Sequence, residues 1–559
     1  MELFHKPKHE LVILLAIFVL GFFFFFYGIQ WGLPNLWYPD EPETIEQIVI
    51  PMARHLDPNP HIFHKGSLYY YFLEIILAPY FLYAKLFHVS LADYAHLVKT
   101  VTLIARIATG CVGLMGIYFM YKIGKQLTNI QGGLWAAFLL SIHTGYAAYA
   151  HFAYMEVPLI VLLLVSLYFA LKYLEALQLR DLYLCAFFGG LAVSTKYNAV
   201  LPVGVFILIG WITSRIRELS HFRIRPFFDK PIWISFGILI LAFFLGTPFA
   251  LLDWKTFLLY LVKHSFVSQG YKVFTGGYAW IGNILLLEKS FGPWAFFIVI
   301  FSFFWVLIQW VIRPRAKEAL LIFPAFLYYL YAGSWRIMAV RYMLPMIPFL
   351  ILSSAVVFHS IGQWKKASFR RIGIGILGLM SMLALRETFF NIRCFRTETR
   401  IFAEAWIDRH IPKDKTIEVY SYSAYLPRLS SDRKVWQWVP NFVSESQAFD
   451  RFQNTKWGKF LTQGRFSVKT EKTSNDSLFR IEALHKRSPD YIILSSFFDD
   501  RFIPQKNPLV RHMYPELAAY YEQLTQGNAG YQKIIQFENP RMQEFYLNPT
   551  ISIWKRIQP

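Results

Sequence analysis

Two adjacent acidic residues beside an apolar segment are the first candidates for chemistry in this sequence. Asp40 and Glu41 lie in the stretch 38–42, Tyr-Pro-Asp-Glu-Pro, a short way after the apolar run 11–30. If that run crosses a bilayer, the pair lies just outside the hydrocarbon, where a carboxylate can act as a general base on an acceptor near the membrane. The alternative is an ordinary solvated loop, because acidic residues between prolines are common.

Further charged side chains are predicted at the same membrane face. Glu156 begins the fourth apolar run, and Lys196 lies in the hairpin between the fifth and sixth runs. Arg336 and Arg341 lie in the loop before the tenth run. Arg106 lies inside the second run, where an unpaired charge costs at least a few kcal/mol, so we expect it to face a polar cavity or a partner.

Each of these charged residues also has an ordinary alternative role. Arg336 and Arg341 could extend to lipid headgroups, and Lys196 could cap the end of a helix. Glu156 could form a structural ion pair with Arg106 or Lys196.

The loop that holds the acidic pair also contains His61, His64 and Lys65. The two histidines resemble a metal pair in spacing, but His-x-x-His alone in a loop is weak evidence for a metal site. No ligand set is convincing, so we predict no metal site and no cofactor and leave metal dependence open. The sequence also lacks a Walker loop, a G-x-G-x-x-G motif after a strand and a D-x-D motif, which argues against a nucleotide donor.

Carboxylates and fixed cations around one cavity suit transfer from a lipid-linked phosphate. The carboxylate would remove a proton from an acceptor hydroxyl or amine. The cations would stabilise the charge that develops on the departing phosphate oxygen. A donor carried on a polyprenol would enter sideways from the bilayer, which explains why such a site would belong to a membrane protein.

The composition predicts a polytopic membrane protein. Of 559 residues, 55% are hydrophobic and only 16% are charged, and the apolar residues form blocks long enough to cross about 30 Å of hydrocarbon. The net charge of +20 does not indicate nucleic-acid binding, because much of the excess lies in short loops between apolar blocks, where it sets topology and contacts lipid headgroups. The three separated cysteines suggest neither a disulfide framework nor a zinc site.

Eleven membrane spans are predicted, which makes the fold class mainly α. They are 11–30, 97–121, 133–150, 157–174, 182–195, 199–214, 232–251, 292–312, 318–333, 343–362 and 372–390. Short basic clusters all fall on one side of this arrangement, together with the N-terminal Lys6 and Lys8. By the positive-inside rule that side is cytoplasmic, so the N-terminus is predicted in the cytoplasm, after an uncleaved first span.

Two regions outside these spans need separate interpretations. The segment 68–88 is apolar enough to be a twelfth span, but that would move the later basic clusters to the outer face. We therefore predict an amphipathic or re-entrant helix within the outer loop 31–96. The chain divides into a membrane domain, 1–390, and an extracytoplasmic α/β domain, 391–559, with helices at 402–410 and 515–525 and strands such as 416–420.

Several motifs resemble the bacterial and archaeal membrane glycosyltransferases related to lipid A aminoarabinose transferases and dolichyl-phosphate-mannose protein mannosyltransferases. Matching stretches run in order along most of the first 360 residues: 38–42 (Tyr-Pro-Asp-Glu-Pro), 59–61, 67–71, 154–158, 195–198, 247–253 and 341–348. The stretches 405–408 and 411–412 resemble this group as well. The resemblance implies the GT-C membrane fold and an inverting sugar transfer from a polyprenyl-phosphate donor.

The resemblance also implies roles for the acidic residues. It makes Asp40 the base, with Glu41 beside it orienting the acceptor or sharing the proton. Glu156 matches a second acidic position that is usually Asp in relatives, so its longer side chain departs from the pattern.

The implied donor site is basic and aromatic. The resemblance places Arg106, Lys196 and Arg341 around the donor phosphate. Lys65 takes a position where relatives carry Lys-Pro-Pro or His-Pro-Pro, although here the double proline is replaced by Gly-Ser. Three further residues are implied to shape the sugar and acceptor pocket: Tyr69, Tyr342 and His64.

The predicted function is therefore transfer of a sugar from a polyprenyl-phosphate donor to an acceptor on the outer face of a prokaryotic inner membrane. The expected partners are the lipid-linked sugar, an acceptor lipid, glycan or protein, and membrane lipids. Phosphoryl or oligosaccharide transfer is an alternative within enzymes. A flippase of lipid-linked sugars is an alternative of another class, although its charges should be spread through the membrane depth. A glycan receptor anchored by many spans is a third interpretation.

Overall fold

The structure is a computed structural model, and it describes residues 7–87, 91–219, 229–270, 279–335, 338–439 and 475–557. Within these residues, the first half of the chain is helical: α1 Pro7–Phe26, α2 Ile50–His55, α3 Leu68–Leu86, α4 Tyr94–Leu127, α5 Ile130–Ser141, α6 Thr144–Ala150, α7 Glu156–Ala176, α8 Leu179–Thr195, α9 Val200–Leu219, α10 Lys230–Gly246, α11 Phe249–Leu252 and α12 Trp254–Gly270. A π-helical segment, Glu43–Val49, precedes α2.

Helices continue through the second half, followed by a small sheet. The helices are α13 Trp280–Phe291, α14 Pro293–Ile312, α15 Ala316–Gly333, α16 Ile347–Gly362, α17 Ala367–Arg393, α18 Thr399–His410, α19 Ile481–Arg487, α20 Val510–Met513 and α21 Pro515–Thr525. The strands are β1 Thr416–Val419, β2 Lys434–Gln437, β3 Tyr491–Ser495, β4 Tyr531–Phe537 and β5 Ile551–Arg556.

Among the residues described by the structure, seven helical segments are long and apolar enough to cross a membrane: 9–26, 94–127, 156–176, 197–216, 293–312, 340–362 and 367–393. Each contains or overlaps one of the eleven predicted spans. The other four predicted spans are also helical, but they are shorter or less apolar. The predicted class, a mainly helical multi-pass membrane protein, is confirmed, and the count of eleven spans stays a prediction.

The predicted span 133–150 is divided into two helices. α5 ends at Ser141, and His143 caps the next helix by accepting a hydrogen bond from the Tyr146 N–H at 2.8 Å. The cap satisfies a backbone donor that a new helix would otherwise leave unpaired. A histidine in an apolar run therefore marks a helix boundary here, which hydropathy alone did not indicate.

The helix α3 lies beside the first half of α4. The Tyr69 hydroxyl is 2.8 Å from that of Thr109, which is fifteen residues into α4. After α3, the chain contacts the segment that precedes α3: Arg54 of α2 donates a hydrogen bond to the Leu91 carbonyl at 3.0 Å. With 34 residues, α4 is about 51 Å long, more than a bilayer requires. α3 therefore lies beside the N-terminal half of α4, and the prediction that it does not cross the membrane stays a prediction.

In the C-terminal region, the described residues 394–439 and 475–557 fold as a five-stranded sheet between helices. The strand order is β2-β1-β3-β5-β4, with β1 parallel to β2 and β3, and β5 antiparallel to β3 and β4. Successive strand residues face opposite sides: Ile493 packs with α18, and Ile492 packs with α21. The predicted α/β character and both predicted helices are confirmed, with α18 beginning three residues earlier than expected.

One loop of the C-terminal region is part of the core of the membrane bundle. Met542, Phe545 and Leu547 are buried in the same cluster as side chains of α1, α4 and α7. We call residues 542–548 the inserted loop, and the end of the bundle that receives it the domain end.

Membrane orientation can be tested with two matched substitutions of exposed lysines. Lys365 lies in the short loop between α16 and α17, and Lys533 lies on β4. By the positive-inside rule, we expect Lys533→Cys, in a chain lacking its natural cysteines, to react with a membrane-impermeant maleimide on intact cells. Lys365→Cys should react only after permeabilisation. The reverse pattern would contradict the predicted orientation.

Candidate active site

Five segments converge at the domain end of the bundle. They are the first loop (residues 27–67), the N-terminus of α7, the α8–α9 hairpin, the turn before α16 and the inserted loop. Gly66 allows the closest of these approaches, because a Cβ at that position would lie 1.9 Å from the Ser194 carbonyl oxygen. The Tyr197 hydroxyl, 2.8 Å from the Lys65 carbonyl oxygen, fixes the same contact. Lys65 and Lys196 are thereby brought to one site.

Asp40 forms an ion pair with Arg341. The distance from Arg341 Nη1 to Asp40 Oδ2 is 3.1 Å, and the side chains retain 16% and 23% exposure, so solvent or a ligand can reach the pair. The Tyr38 hydroxyl donates to the same carboxylate oxygen at 3.0 Å. Tyr38 itself is buried and stacks on Phe152 with ring centroids 4.2 Å apart. The carboxylate of Asp40 is therefore oriented by a rigid ring on one side and a cation on the other.

Lys65 pairs with Glu43. Its Nζ atom is 2.9 Å from Glu43 Oε1, and His64 Nε2 lies 3.0 Å from the same oxygen. Lys65 also lies over the ring of Tyr154 at 4.6 Å, a cation–π contact. Glu43 is three residues after Asp40, and the chain between them turns helically, so the two carboxylates share a face.

Lys196 pairs with Glu156 through a short hydrogen bond. Glu156 is the first residue of α7, where the helix dipole favours a negative charge. Its second oxygen, Oε2, is buried and has no hydrogen-bond partner among the described residues. The Tyr342 ring lies between two cations, 5.3 Å from Lys196 Nζ and 5.1 Å from Arg341 Cζ. Tyr342 thus connects the ion pair of Lys196 and Glu156 to that of Arg341 and Asp40.

Glu41 and Arg106 form a fourth pair that is closed to solvent. Arg106 donates to both carboxylate oxygens of Glu41, at 2.8 and 2.6 Å, and both side chains have 0% exposure. Arg106 also donates to the carbonyls of Ile29 and Trp31, and the Ala153 N–H donates to Glu41. Of the two environments expected for Arg106, a polar cavity or a charged partner, the structure shows the partner, which is Glu41. A donor phosphate could reach neither side chain without disrupting this pair.

The predicted pocket residues take different positions. Tyr342 and His64 lie at the accessible cluster, with 20% of the His64 side chain exposed. Tyr69 is buried behind it, against Thr109 of α4. Arg336 lies outside the described residues.

Two residues of the cluster were not among the sequence candidates. Glu43 was visible in principle, because its spacing from Asp40 is that of neighbours on a helix face. Tyr546 was not. Its hydroxyl oxygen accepts from Arg341 Nη1 at 3.3 Å, and its ring lies 5.7 Å from that of Tyr38. More than 200 residues separate Tyr546 from Arg341, so no local pattern indicated the contact.

The charges of the cluster shift each other's protonation. Burial alone would raise the pKa of Asp40, but the charges of Arg341 and Lys65 outweigh burial and hold that pKa below its usual value. Lys65 and His64 likewise hold the pKa of Glu43 well below normal, against the effect of burial. Burial lowers the pKa of Lys196 although Glu156 opposes that shift. The lowered pKa values of Asp40 and Glu43 mean that both carboxylates are ionised at neutral pH.

The cluster combines three cations with three carboxylates, each cation paired with one carboxylate, and five of the six side chains are partly exposed, whereas Glu156 is fully buried. Such pairs can open when an anionic ligand offers better partners, because the partly exposed members are not locked by burial. Among the residues that the structure describes, no group of three or more His, Cys, Asp or Glu side chains could hold a metal ion. The chemistry available to these side chains is proton removal by a carboxylate and stabilisation of an anion by fixed cations.

Comparison with known proteins gives a family match for part of the chain. Residues 94–245 match the family described as Dolichyl-phosphate-mannose-protein mannosyltransferase. No curated protein sequence is significantly similar to the chain.

Two solved structures resemble the whole fold. ArnT from Cupriavidus metallidurans, bound to undecaprenyl phosphate, is similar with a TM-score of 0.50 and 12% identity, over 98% of each chain. The apo oligosaccharyltransferase of Archaeoglobus fulgidus gives a TM-score of 0.50 and 11% identity, over 93% of this chain and 73% of that one. The family match and the shared fold confirm the resemblance stated from the sequence.

The buried pair can be tested by removing one partner. We expect Arg106→Met to lower the free energy of unfolding by about 3–5 kcal/mol, because it leaves Glu41 as an unpaired buried charge. Thermal unfolding of purified protein in detergent would measure the loss. Arg341→Met is the matched control, since its partner Asp40 keeps access to solvent and to Tyr38. Equal melting temperatures for the two variants would contradict a structural role for Arg106.

Proposed function

We propose that this chain, a membrane glycosyltransferase with the GT-C fold, moves a sugar from a polyprenyl-phosphate donor to an acceptor at the outer face of a prokaryotic inner membrane. The acceptor is a lipid, glycan or protein that reaches that face. The contact between Asp40 and Arg341 carries the proposal, because it brings a base and a phosphate-binding cation to one accessible point.

The proposed reaction is a single displacement with inversion. An acceptor hydroxyl or amine attacks the anomeric carbon while Asp40 takes its proton. The bond between that carbon and the phosphate oxygen breaks, and the polyprenyl phosphate leaves with the bonding electron pair. Arg341, Lys196 and Lys65 stabilise the new negative charge, an electrostatic contribution of several kcal/mol at preorganised sites.

The pairing of Asp40 with Arg341 suggests how base strength follows donor binding. While Arg341 contacts Asp40, it keeps the pKa of that carboxyl low and the carboxylate a weak base. A donor phosphate that draws the guanidinium toward itself removes this effect, so the pKa of Asp40 rises. Asp40 would then accept a proton most readily when the donor is in place.

The remaining cluster residues receive supporting roles. Glu156 is fully buried, and its role in this proposal is to hold Lys196, which is partly exposed, for the phosphate. Tyr342 and His64 border the same space and suit contacts with the sugar or acceptor. Glu43 holds Lys65 in position.

Glu41 and Arg106 act in this proposal as the support of the site and not as its chemistry. Their bonds join the first loop, α4 and the backbone at Ala153. Tyr69 likewise supports the site from behind, through its hydrogen bond to Thr109. The similar structure of ArnT holds undecaprenyl phosphate, and the basic residues of this chain could bind the phosphate of a donor of the same class.

A flippase of lipid-linked sugars remains the second candidate function. It is less well supported, because the accessible charged residues described above gather at the domain end instead of lining the membrane depth. A flippase also has no use for a base held against a phosphate-binding cation.

The base is tested by Asp40→Asn, which keeps the shape of the side chain but cannot accept the proton. We expect transfer to fall about 100- to 10,000-fold, the contribution of general acid–base catalysis, with folding retained. The assay uses purified protein in detergent with a polyprenyl-phosphate sugar, and follows release of polyprenyl phosphate. Asp57→Asn, an exposed acid of the same loop, is the control. Undiminished turnover by Asp40→Asn would remove Asp40 from the chemistry, and no donor turnover by the natural protein would favour the flippase.

The effect of Lys65 on Asp40 predicts a shift in pH dependence. The positive charge of Lys65 lowers the pKa of Asp40, so Lys65→Gln should raise that pKa. The base must be ionised, and the acidic limb of kcat/KM for the acceptor should therefore move to higher pH. Lys413→Gln, which removes an exposed cation paired with Asp432 in the C-terminal region, is the control and should leave the limb unmoved. An unshifted limb in Lys65→Gln would separate this lysine from the base.

A further inference from the structure

The inserted loop joins the C-terminal region to the catalytic cluster. Phe545 and Leu547 are buried in the core of the membrane bundle, and Tyr546 between them points to Arg341. The loop is thus fixed on both sides of the residue that reaches the site.

The backbone of this loop adopts an unusual conformation. Met542, Tyr546 and Asn548 have φ values of 64°, 64° and 57°, in the left-handed region that residues other than glycine and asparagine rarely adopt. Buried hydrogen bonds hold the conformation: the Asn548 N–H donates to Glu398 at 3.0 Å, and Arg400 Nη2 donates to the Tyr546 carbonyl at 2.8 Å. The position of Tyr546 is therefore set by surrounding structure and not by local preference.

Arg400 links the inserted loop to the loop that carries Asp40. Its guanidinium is fully buried and lies over the Trp37 ring at 4.5 Å, three residues before Asp40. A second arginine of the C-terminal region, Arg428, donates to the Leu33 carbonyl at 3.0 Å. The first loop and the C-terminal region are thus joined within a few residues of the base.

The contact between Tyr546 and Arg341 differs in kind from the contact between Asp40 and Arg341. Both partners approach the same nitrogen, Nη1, at 3.3 and 3.1 Å. The phenol oxygen is neutral, so it does not compete with a phosphate for the charge of the guanidinium. When Arg341 exchanges Asp40 for a phosphate, Tyr546 can keep the guanidinium in place.

We propose that Tyr546 is a positioning residue for Arg341, and that the active site is complete only with the C-terminal region docked. The inference rests on the proposed function, because it assigns Arg341 to the donor phosphate. A hydrogen bond to a charged group is stronger than one between neutral partners, so its loss should be measurable in donor use. The C-terminal region thereby acts in donor use as well as in any contact with the acceptor.

The test is Tyr546→Phe in the full-length protein, which removes the hydroxyl and keeps the ring. We expect kcat/KM for the donor to fall about tenfold, in line with loss of one such hydrogen bond. In an Arg341→Lys background, whose shorter amine does not reproduce the contact, the same change should reduce kcat/KM less than twofold. This non-additivity distinguishes positioning of Arg341 from a general structural role.

Tyr520→Phe is the matched control. It removes a buried phenol of the same region that bonds Tyr420 at 2.6 Å, with no contact to Arg341. Both variants should retain folding in thermal unfolding, and Tyr520→Phe should retain kcat/KM. An unchanged kcat/KM in Tyr546→Phe, or equal loss in both backgrounds, would overturn the inference. If Asp40→Asn still abolishes transfer in that case, the proposed function stands without it.

Discussion

The buried ion pair between Glu41 and Arg106 is the interaction on which the site depends. It occurs where an unpaired charge would be very costly, so neither residue can move away from the other. The pair fixes the first loop to α4, and the Ala153 N–H fixes the same carboxylate to the turn before α7. Asp40 is the residue next to Glu41, and its position over Arg341 follows from this anchor. Glu41 is thus a buried support of the site, because its pairing with Arg106 keeps it from contact with a ligand.

Around this anchor, the structure separates fixed charges from exchangeable ones. The pair of Glu41 and Arg106 has no exposure, whereas Asp40 and Arg341 keep access to solvent. The two pairs contain the same chemical groups, a carboxylate and a guanidinium, so they differ only in how deeply they are buried. Burial turns one into a support, and partial exposure leaves the other free to exchange partners with an anionic ligand. The pKa of Asp40 is low while Arg341 contacts it, and in our proposal donor binding changes that pKa.

The C-terminal region is attached to the bundle through its core and not only through a surface. The inserted loop buries Phe545 and Leu547 among membrane helices, and Arg400 packs against Trp37 of the first loop. A region that were only tethered after α17 would not need such contacts. The resulting placement of Tyr546 beside Arg341 is the contact through which, in our proposal, the C-terminal region acts on the site.

The sequence by itself determined the helical membrane class, the α/β nature of the C-terminal region and most of the charged residues that meet at the site: Asp40, Lys65, Glu156, Lys196 and Arg341. These follow from composition and short patterns, since apolar length and strand alternation are local properties. Only the tertiary structure decided the pairings: Glu41 and Arg106 as a closed support, Tyr69 behind the site, and Tyr546 beside Arg341. The physical reason is that burial and long-range contacts set what a charge can do, and neither is encoded in a residue's immediate neighbours.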